Sequence, residues 1–82
     1  MHILTVLGST GSIGRSTLDV VRQHRGSWRV EALAAHSDVQ RMLADCLEFS
    51  PRYAVLVQEE AAMSLRLALA EHGARTEVLS GP

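Results

Sequence analysis

Residues Gly8-Ser9-Thr10-Gly11-Ser12-Ile13-Gly14 decide the fold of this chain. Three glycines fall at three-residue spacing. An apolar run, Ile3-Leu4-Thr5-Val6-Leu7, precedes them, and a helical pattern, Ser16-Thr17-Leu18-Asp19-Val20-Val21-Arg22, follows. A strand that passes through a glycine turn into a helix is a phosphate-binding device. The helix N-terminus offers unpaired backbone N–H groups and a partial positive charge. Glycine lets the turn close and lets the backbone approach a pyrophosphate without a Cβ in the way. The spacing G-x-x-G-x-x-G is a variant of the commoner dinucleotide turn, G-x-G-x-x-G. Ser9, Thr10 and Ser12 add hydroxyls where a phosphate would sit. The competing reading is an ordinary Gly/Ser-rich turn between a strand and a helix. A Walker-type loop is excluded, because it ends in Gly-Lys-[Ser/Thr] and the chain has no lysine.

Outward from this turn the sequence alternates regularly. Strand one is expected over His2 to Leu7, nearly all apolar, as in a strand buried on both faces. A helix is expected from Ser12 to His24, with Ile13, Leu18, Val21 and Thr17 inward. Strand two is expected over Trp28 to Ala35, with Val30, Ala32 and Ala34 on one face and Leu33 on the other. Asp38 or Ser37 is a good cap for a helix over Val39 to Phe49, whose apolar stripe is Val39, Met42, Leu43, Cys46 and Leu47. Ser50-Pro51 stops it. Strand three is expected over Tyr53 to Val57, a helix from Glu59 to Glu71 with Gly73 as its cap, and strand four over Thr76 to Leu79. Strict alternation of strand and helix makes an α/β fold: a Rossmann-like parallel sheet with helices on both faces, the βαβαβαβ first half of a doubly wound dinucleotide-binding domain. In the strand order 3-2-1-4, strand four would lie beside strand one and leave Val78 and Leu79 open. The turn Ser80-Gly81-Pro82 comes where the next helix should begin. Residues 1–82 are therefore expected to be the N-terminal part of a domain that is incomplete at residue 82.

Composition narrows the function classes. Hydrophobic residues make up 46% of the chain and the net charge is −1, which gives no basic footprint for nucleic acid and no polybasic patch for a membrane surface. No apolar run has the length of a membrane span. A single cysteine, Cys46, makes no internal disulfide and fits a reducing compartment. With the first strand starting at His2, the expected location is the cytoplasm. No pair of histidines has metal-ligand spacing. Cys46 lies on an apolar stripe and reads as a buried thiol. Arg15 could reach a pyrophosphate or stay in solvent, and Glu48 and Arg52 read as surface charges.

The second part of a dinucleotide site is the end of strand two, which meets the adenosine ribose. An acid there binds the 2′-hydroxyl of NAD; a basic or small polar residue accommodates the 2′-phosphate of NADP. The residues here are His36, Ser37 and Asp38. His36 and Ser37 can donate hydrogen bonds to a phosphate. Asp38 favours NAD if it turns inward, and leaves the site to NADP if it caps the following helix.

Leu4 to Gly14 and Ser16 to Arg22, with Cys46-Leu47-Glu48-Phe49-Ser50-Pro51-Arg52-Tyr53-Ala54-Val55 and Thr76-Glu77-Val78-Leu79-Ser80-Gly81, closely resemble the start of the 1-deoxy-D-xylulose 5-phosphate reductoisomerase family. The resemblance implies an NADPH-dependent oxidoreductase of the non-mevalonate isoprenoid route. Such an enzyme rearranges 1-deoxy-D-xylulose 5-phosphate and reduces the product to 2-C-methyl-D-erythritol 4-phosphate. It implies a homodimer acting on a small sugar phosphate. It also implies a divalent metal, magnesium or manganese, whose ligands lie beyond residue 82, as do the catalytic residues. On the resemblance, the phosphate-binding turn is Thr10, Gly11, Ser12 and Ile13, held between Gly8 and Gly14. Where many members have Gly-Lys-Asn, this chain has His36-Ser37-Asp38, which removes a point charge from the 2′-phosphate. Two other readings remain. One is another reductase with the same glycine spacing, such as a semialdehyde dehydrogenase; the other is a non-catalytic nucleotide-sensing module.

Overall fold

The computed structural model describes residues 2–81; Met1, and Pro82 of the expected closing turn, lie outside them. Seven elements alternate: β1 (His2–Leu7), α1 (Ser12–Gln23), β2 (Trp28–Ala35), α2 (Val39–Phe49), β3 (Tyr53–Leu56), α3 (Glu59–Glu71) and β4 (Glu77–Ser80). All three strand pairings are parallel, as the alternation of strand and helix requires. Local chemistry fixes the helix ends. Asp38 caps α2, Glu59 and Glu60 place negative charge in the first turn of α3, and Arg22 sits in the last turn of α1. α2 ends at Ser50 in the left-handed conformation, ahead of Pro51. α3 is capped by His72, one residue before the expected cap, with Gly73 following at φ +69°.

The strand order differs from the expected 3-2-1-4. The sheet runs β1-β2-β3-β4, so β4 pairs with β3, and β1 and β4 are the two edges among the described residues. Val78 is buried rather than open, while Leu79 is exposed. The order has a physical consequence for layering. Right-handed crossovers that all step the same way across a sheet put every helix on the same face. Accordingly α1, α2 and α3 share one core, built from Leu18 and Val21, Met42 and Cys46, and Leu65 and Leu69. The sheet contributes Val6, Val30, Leu33, Ala35, Ala54, Leu56 and Val78 to that core. Helices on both faces were expected; among the described residues only one face is covered. The other presents Ile3, Leu7 and Leu79 to solvent. β1 is thus not buried on both faces.

The face assignment within β2 also differs. Leu4 pairs with Val30, but Thr5 pairs with Ala32, so Glu31 is an extra residue in β2. A bulge of one residue flips the alternation beyond it. Val30, Leu33 and Ala35 therefore face the core, and Ala32 and Ala34 are only half-buried. The carbonyl of Glu31 accepts from the Arg52 N–H at 2.8 Å, which ties the bulge to the entry of β3. In α1 the inward residues are Gly14, Leu18 and Val21; Ile13 is exposed and Thr17 half-buried.

Candidate functional site

β1 delivers the chain to the glycine turn at the carboxyl end of the sheet. Gly8 takes φ +65°, a left-handed conformation that glycine adopts without a Cβ penalty. The Ser9 N–H donates to the Ala34 carbonyl at 2.9 Å, fastening the turn to the end of β2. The Gly11 N–H donates back to the Gly8 carbonyl at 3.0 Å and closes the loop. Gly14 is buried beneath it. A Cβ on Gly14 would lie 2.3 Å from the Gly8 oxygen and 2.6 Å from the Ser9 Cα, so α1 packs on the turn with no room for a side chain.

Gly11 plays a different part. Its backbone, at φ −80° and ψ 173°, is extended and open to any residue. A Cβ there would meet only the Gly8 oxygen, at 3.4 Å. Neither strain nor packing requires glycine at this position. What the missing side chain leaves is an exposed approach to the first turn of α1.

That turn is rich in free donors. The Arg15 N–H donates to the Gly11 carbonyl at 2.9 Å, the first bond of the α1 ladder. The N–H groups of Ser12, Ile13 and Gly14 have no backbone acceptor among the described residues, and no side chain caps the helix. Most helices are capped by a Ser, Thr, Asp or Asn side chain; here glycine stands at the cap and leaves the donors for an anion. Ser12 is exposed and Thr10 half-buried. The Ile13 side chain is solvent-facing and, with Ser16 and Val20, borders a shallow depression of about 340 Å³. The Ser9 hydroxyl does not join them. It is fully buried and points at the Met42 sulfur, 3.9 Å away, because the β1–α1 turn tucks it beneath α2.

His36, Ser37 and Asp38 follow β2 beside this turn, and all three are exposed. The His36 carbonyl accepts from the Gln58 N–H at 3.0 Å, which holds the segment at the carboxyl edge of the sheet. Asp38 turns to its own helix and accepts from the Arg41 N–H at 3.1 Å. It is the N-cap of α2, so its carboxylate is engaged by the helix start. Arg41, one turn on, is mostly exposed, with its guanidinium 3.8 Å from Asp38. It is the basic side chain that reading the sequence overlooked. Its signal was the three-residue spacing from a capping aspartate.

Arg15 is committed elsewhere. Its guanidinium binds Asp45 at 2.5 Å, and the Asp45 side chain is almost wholly buried between α1 and α2. The hydrogen bond to Asp45 raises the Arg15 pKa above its ordinary value. Glu48 is no isolated surface charge. It joins Arg22 and Arg25, and the bond from Arg22 is the main reason its pKa is lowered. Burial, and secondarily Asp45, pushes the Cys46 thiol up to about 12, so it is neutral and unreactive. Among the described residues no three His, Cys, Asp or Glu side chains are grouped to hold a metal ion, and no helix is long and apolar enough to cross a membrane.

Comparison with known proteins bears on this geometry. A family model described as 1-deoxy-D-xylulose 5-phosphate reductoisomerase matches residues 4–82. The enzyme of that name from Tolumonas auensis is 57% identical over 81 residues, covering 99% of this chain and 20% of the relative. The one from Aeromonas hydrophila is 55% identical over 82 residues, covering 100% of this chain and 21% of the relative. Among solved structures, a DOX-P reductoisomerase in complex with NADPH, fosmidomycin and magnesium superposes with a TM-score of 0.93 at 37% identity, covering 99% of this chain and 20% of that one. The Zymomonas mobilis 1-deoxy-D-xylulose 5-phosphate reductoisomerase in complex with NADPH gives 0.91 at 34% identity, covering 98% and 21%. The chain thus spans about a fifth of the length of these relatives. With the family model matching residues 4–82 and relatives 55–57% identical over nearly the whole chain, the chain belongs to the 1-deoxy-D-xylulose 5-phosphate reductoisomerase family.

Proposed function

We propose that this chain is the N-terminal part of an NADPH-binding domain, incomplete at residue 82. The enzyme would convert 1-deoxy-D-xylulose 5-phosphate to 2-C-methyl-D-erythritol 4-phosphate in the non-mevalonate isoprenoid route. The observation that carries the reading is the set of unpartnered N–H groups on Ser12, Ile13 and Gly14, facing an approach kept clear by Gly11. A pyrophosphate accepts several such donors at once, and the positive end of the α1 dipole favours its charge. Solved relatives of the same fold hold NADPH. The family match favours neither a semialdehyde dehydrogenase nor a sensing module.

In this reading, Gly8 sets the turn, Gly14 lets α1 sit close beneath it, and Thr10 to Ile13 bind the pyrophosphate. His36 and Ser37 donate to the 2′-phosphate. Arg41 supplies the charge that a lysine gives in many relatives, and Asp38 serves as the helix cap. Bound NADPH supplies the hydride. The divalent ion, magnesium or manganese, would be held by residues outside those described, as would the sugar phosphate. A homodimer is proposed for the whole enzyme. A buried free thiol at Cys46 supports a reducing compartment, the cytoplasm.

The test is Gly11→Val in the full-length protein. A branched side chain would occupy the anion's path while the backbone keeps its extended geometry. NADPH affinity measured by fluorescence titration is expected to fall at least tenfold, about 1.4 kcal/mol, with the fold retained at a cost of about 1 kcal/mol from the poorer valine cap. Unaltered affinity overturns the assignment.

A further inference from the structure

The opposite end of the sheet carries a second concentration of charge. Arg29 lies at the amino end of β2, Arg52 immediately before β3 and Arg75 just before β4. All three are exposed. The other arginines have partners: Arg15, Arg22, Arg25 and Arg41 pair with acids, and Arg66 donates to the Val78 carbonyl at 2.9 Å. No guanidinium of Arg29, Arg52 or Arg75 makes a hydrogen bond or lies within 4.0 Å of a carboxylate among the described residues. The three share one cleft of about 500 Å³, which His72 and Ser50 also line and which contains no acidic residue.

The bland explanation is that these cations complement helix C-termini, since α2 and α3 both end here. Several carbonyls at those ends, those of Cys46, Leu69 and Ala70 among them, already have backbone donors, and none accepts from Arg29, Arg52 or Arg75. The Ser50 N–H takes the Cys46 carbonyl at 2.9 Å, the Gly73 N–H that of Ala70 at 3.0 Å, and the Ala74 N–H that of Leu69 at 3.0 Å. Three guanidinium groups, always charged and each with five donors in a fixed fork, are left without an internal acceptor. Arg52 is further positioned by stacking, its guanidinium carbon 5.3 Å from the Tyr53 ring centroid. The volume is that of a small-molecule site, and its cations come from the amino ends of three adjacent strands, in or just before each, into one concavity.

We propose that this cleft is an anion site for a small phosphorylated ligand, distinct from the dinucleotide turn at the carboxyl end of the strands. The arginines would grip phosphoryl oxygens through forked hydrogen bonds. The proposal does not depend on what the glycine turn binds.

The test uses the full-length protein, saturated with NADPH and at low salt, titrated with inorganic pyrophosphate by calorimetry. The variant R29Q/R75Q leaves the stacked Arg52 in place. Wild-type protein is expected to bind pyrophosphate, and the variant at least tenfold more weakly, with NADPH affinity equal in both. If the double variant loses NADPH binding through misfolding, R29Q and R75Q decide singly: each must weaken pyrophosphate at least threefold with NADPH binding intact. No pyrophosphate binding, or binding that the substitutions leave unmoved, overturns the proposal. Binding of an acidic peptide with no response to pyrophosphate overturns it too, because the partner would then be a protein.

Discussion

At the scale of single residues, the three glycines have separate duties, and substitution tells them apart. Gly14 is the packing glycine. Its replacement by alanine forces a Cβ into the backbone of Gly8 and Ser9 at contact distances real structures do not show. The outcome expected for Gly14→Ala is a loss of about 2 kcal/mol or more in denaturant unfolding, as for other overpacked sites. Gly11→Val should cost less stability than Gly14→Ala, about 1 kcal/mol from the poorer cap, and lower affinity as well. The sequence displays both glycines identically. Only the approach of α1 to the turn separates them, and that approach is a tertiary fact. Glu48 supplies a pH test. Its pKa in the folded chain is lowered from 4.5, chiefly by the hydrogen bond from Arg22. Its contribution to stability is therefore present above the unfolded value and is lost as pH falls through the folded one. A pH series of unfolding midpoints should show Glu48→Gln flattening the acid side of the stability curve, with its largest cost near neutrality. Since Glu48 is partly exposed, high salt should shrink the difference.

At the scale of elements, the cap of α2 separates stability from cofactor choice. Asp38→Ala removes the acceptor of the Arg41 N–H and is expected to cost about 1 kcal/mol by thermal unfolding, without changing the preference for NADPH over NADH. Ser37→Ala and Arg41→Gln should do the reverse, raising the KM for NADPH more than that for NADH at unchanged stability. A protein that prefers NADH from the outset would place Asp38 on the ribose and refute the assignment. The element boundaries were legible because their signals are local: a glycine turn, an aspartate cap, Ser50-Pro51, and paired glutamates at a helix start. The segments proposed for the site were singled out for the same reason, since Thr10 to Ile13 and His36 to Asp38 each follow a strand. The faces of β2 were not. The bulge at Glu31 leaves no mark in composition, yet it moves Leu33 to the core side. Nor was Asp45, an acid on an apolar stripe whose partner Arg15 sits on another helix. Strand order was misjudged because alternation alone does not say where a crossover lands.

At the scale of the molecule, the uncovered sheet face governs how residues 1–82 behave by themselves. Ile3 is 64% exposed and Leu7 78%, with Val57 and Leu79 each 42%. The accessible surface is 5144 Å², against about 13,000 Å² for an unfolded chain of this mass, so folding buries only about 60%. An apolar face and two open parallel edges invite association. Sedimentation of the isolated 82 residues is expected to show a weight-average mass that rises with concentration, and urea unfolding a low midpoint. A stable monomer with a steep transition would mean that this face tolerates water. The order β1-β2-β3-β4 also bears on how the molecule is made. Every strand after β1 finds a partner in the strand synthesised just before it. A nascent chain leaving the ribosome can therefore zip its sheet in the order of translation, each helix closing over its own crossover. Each new strand closes the edge left by the one made just before it.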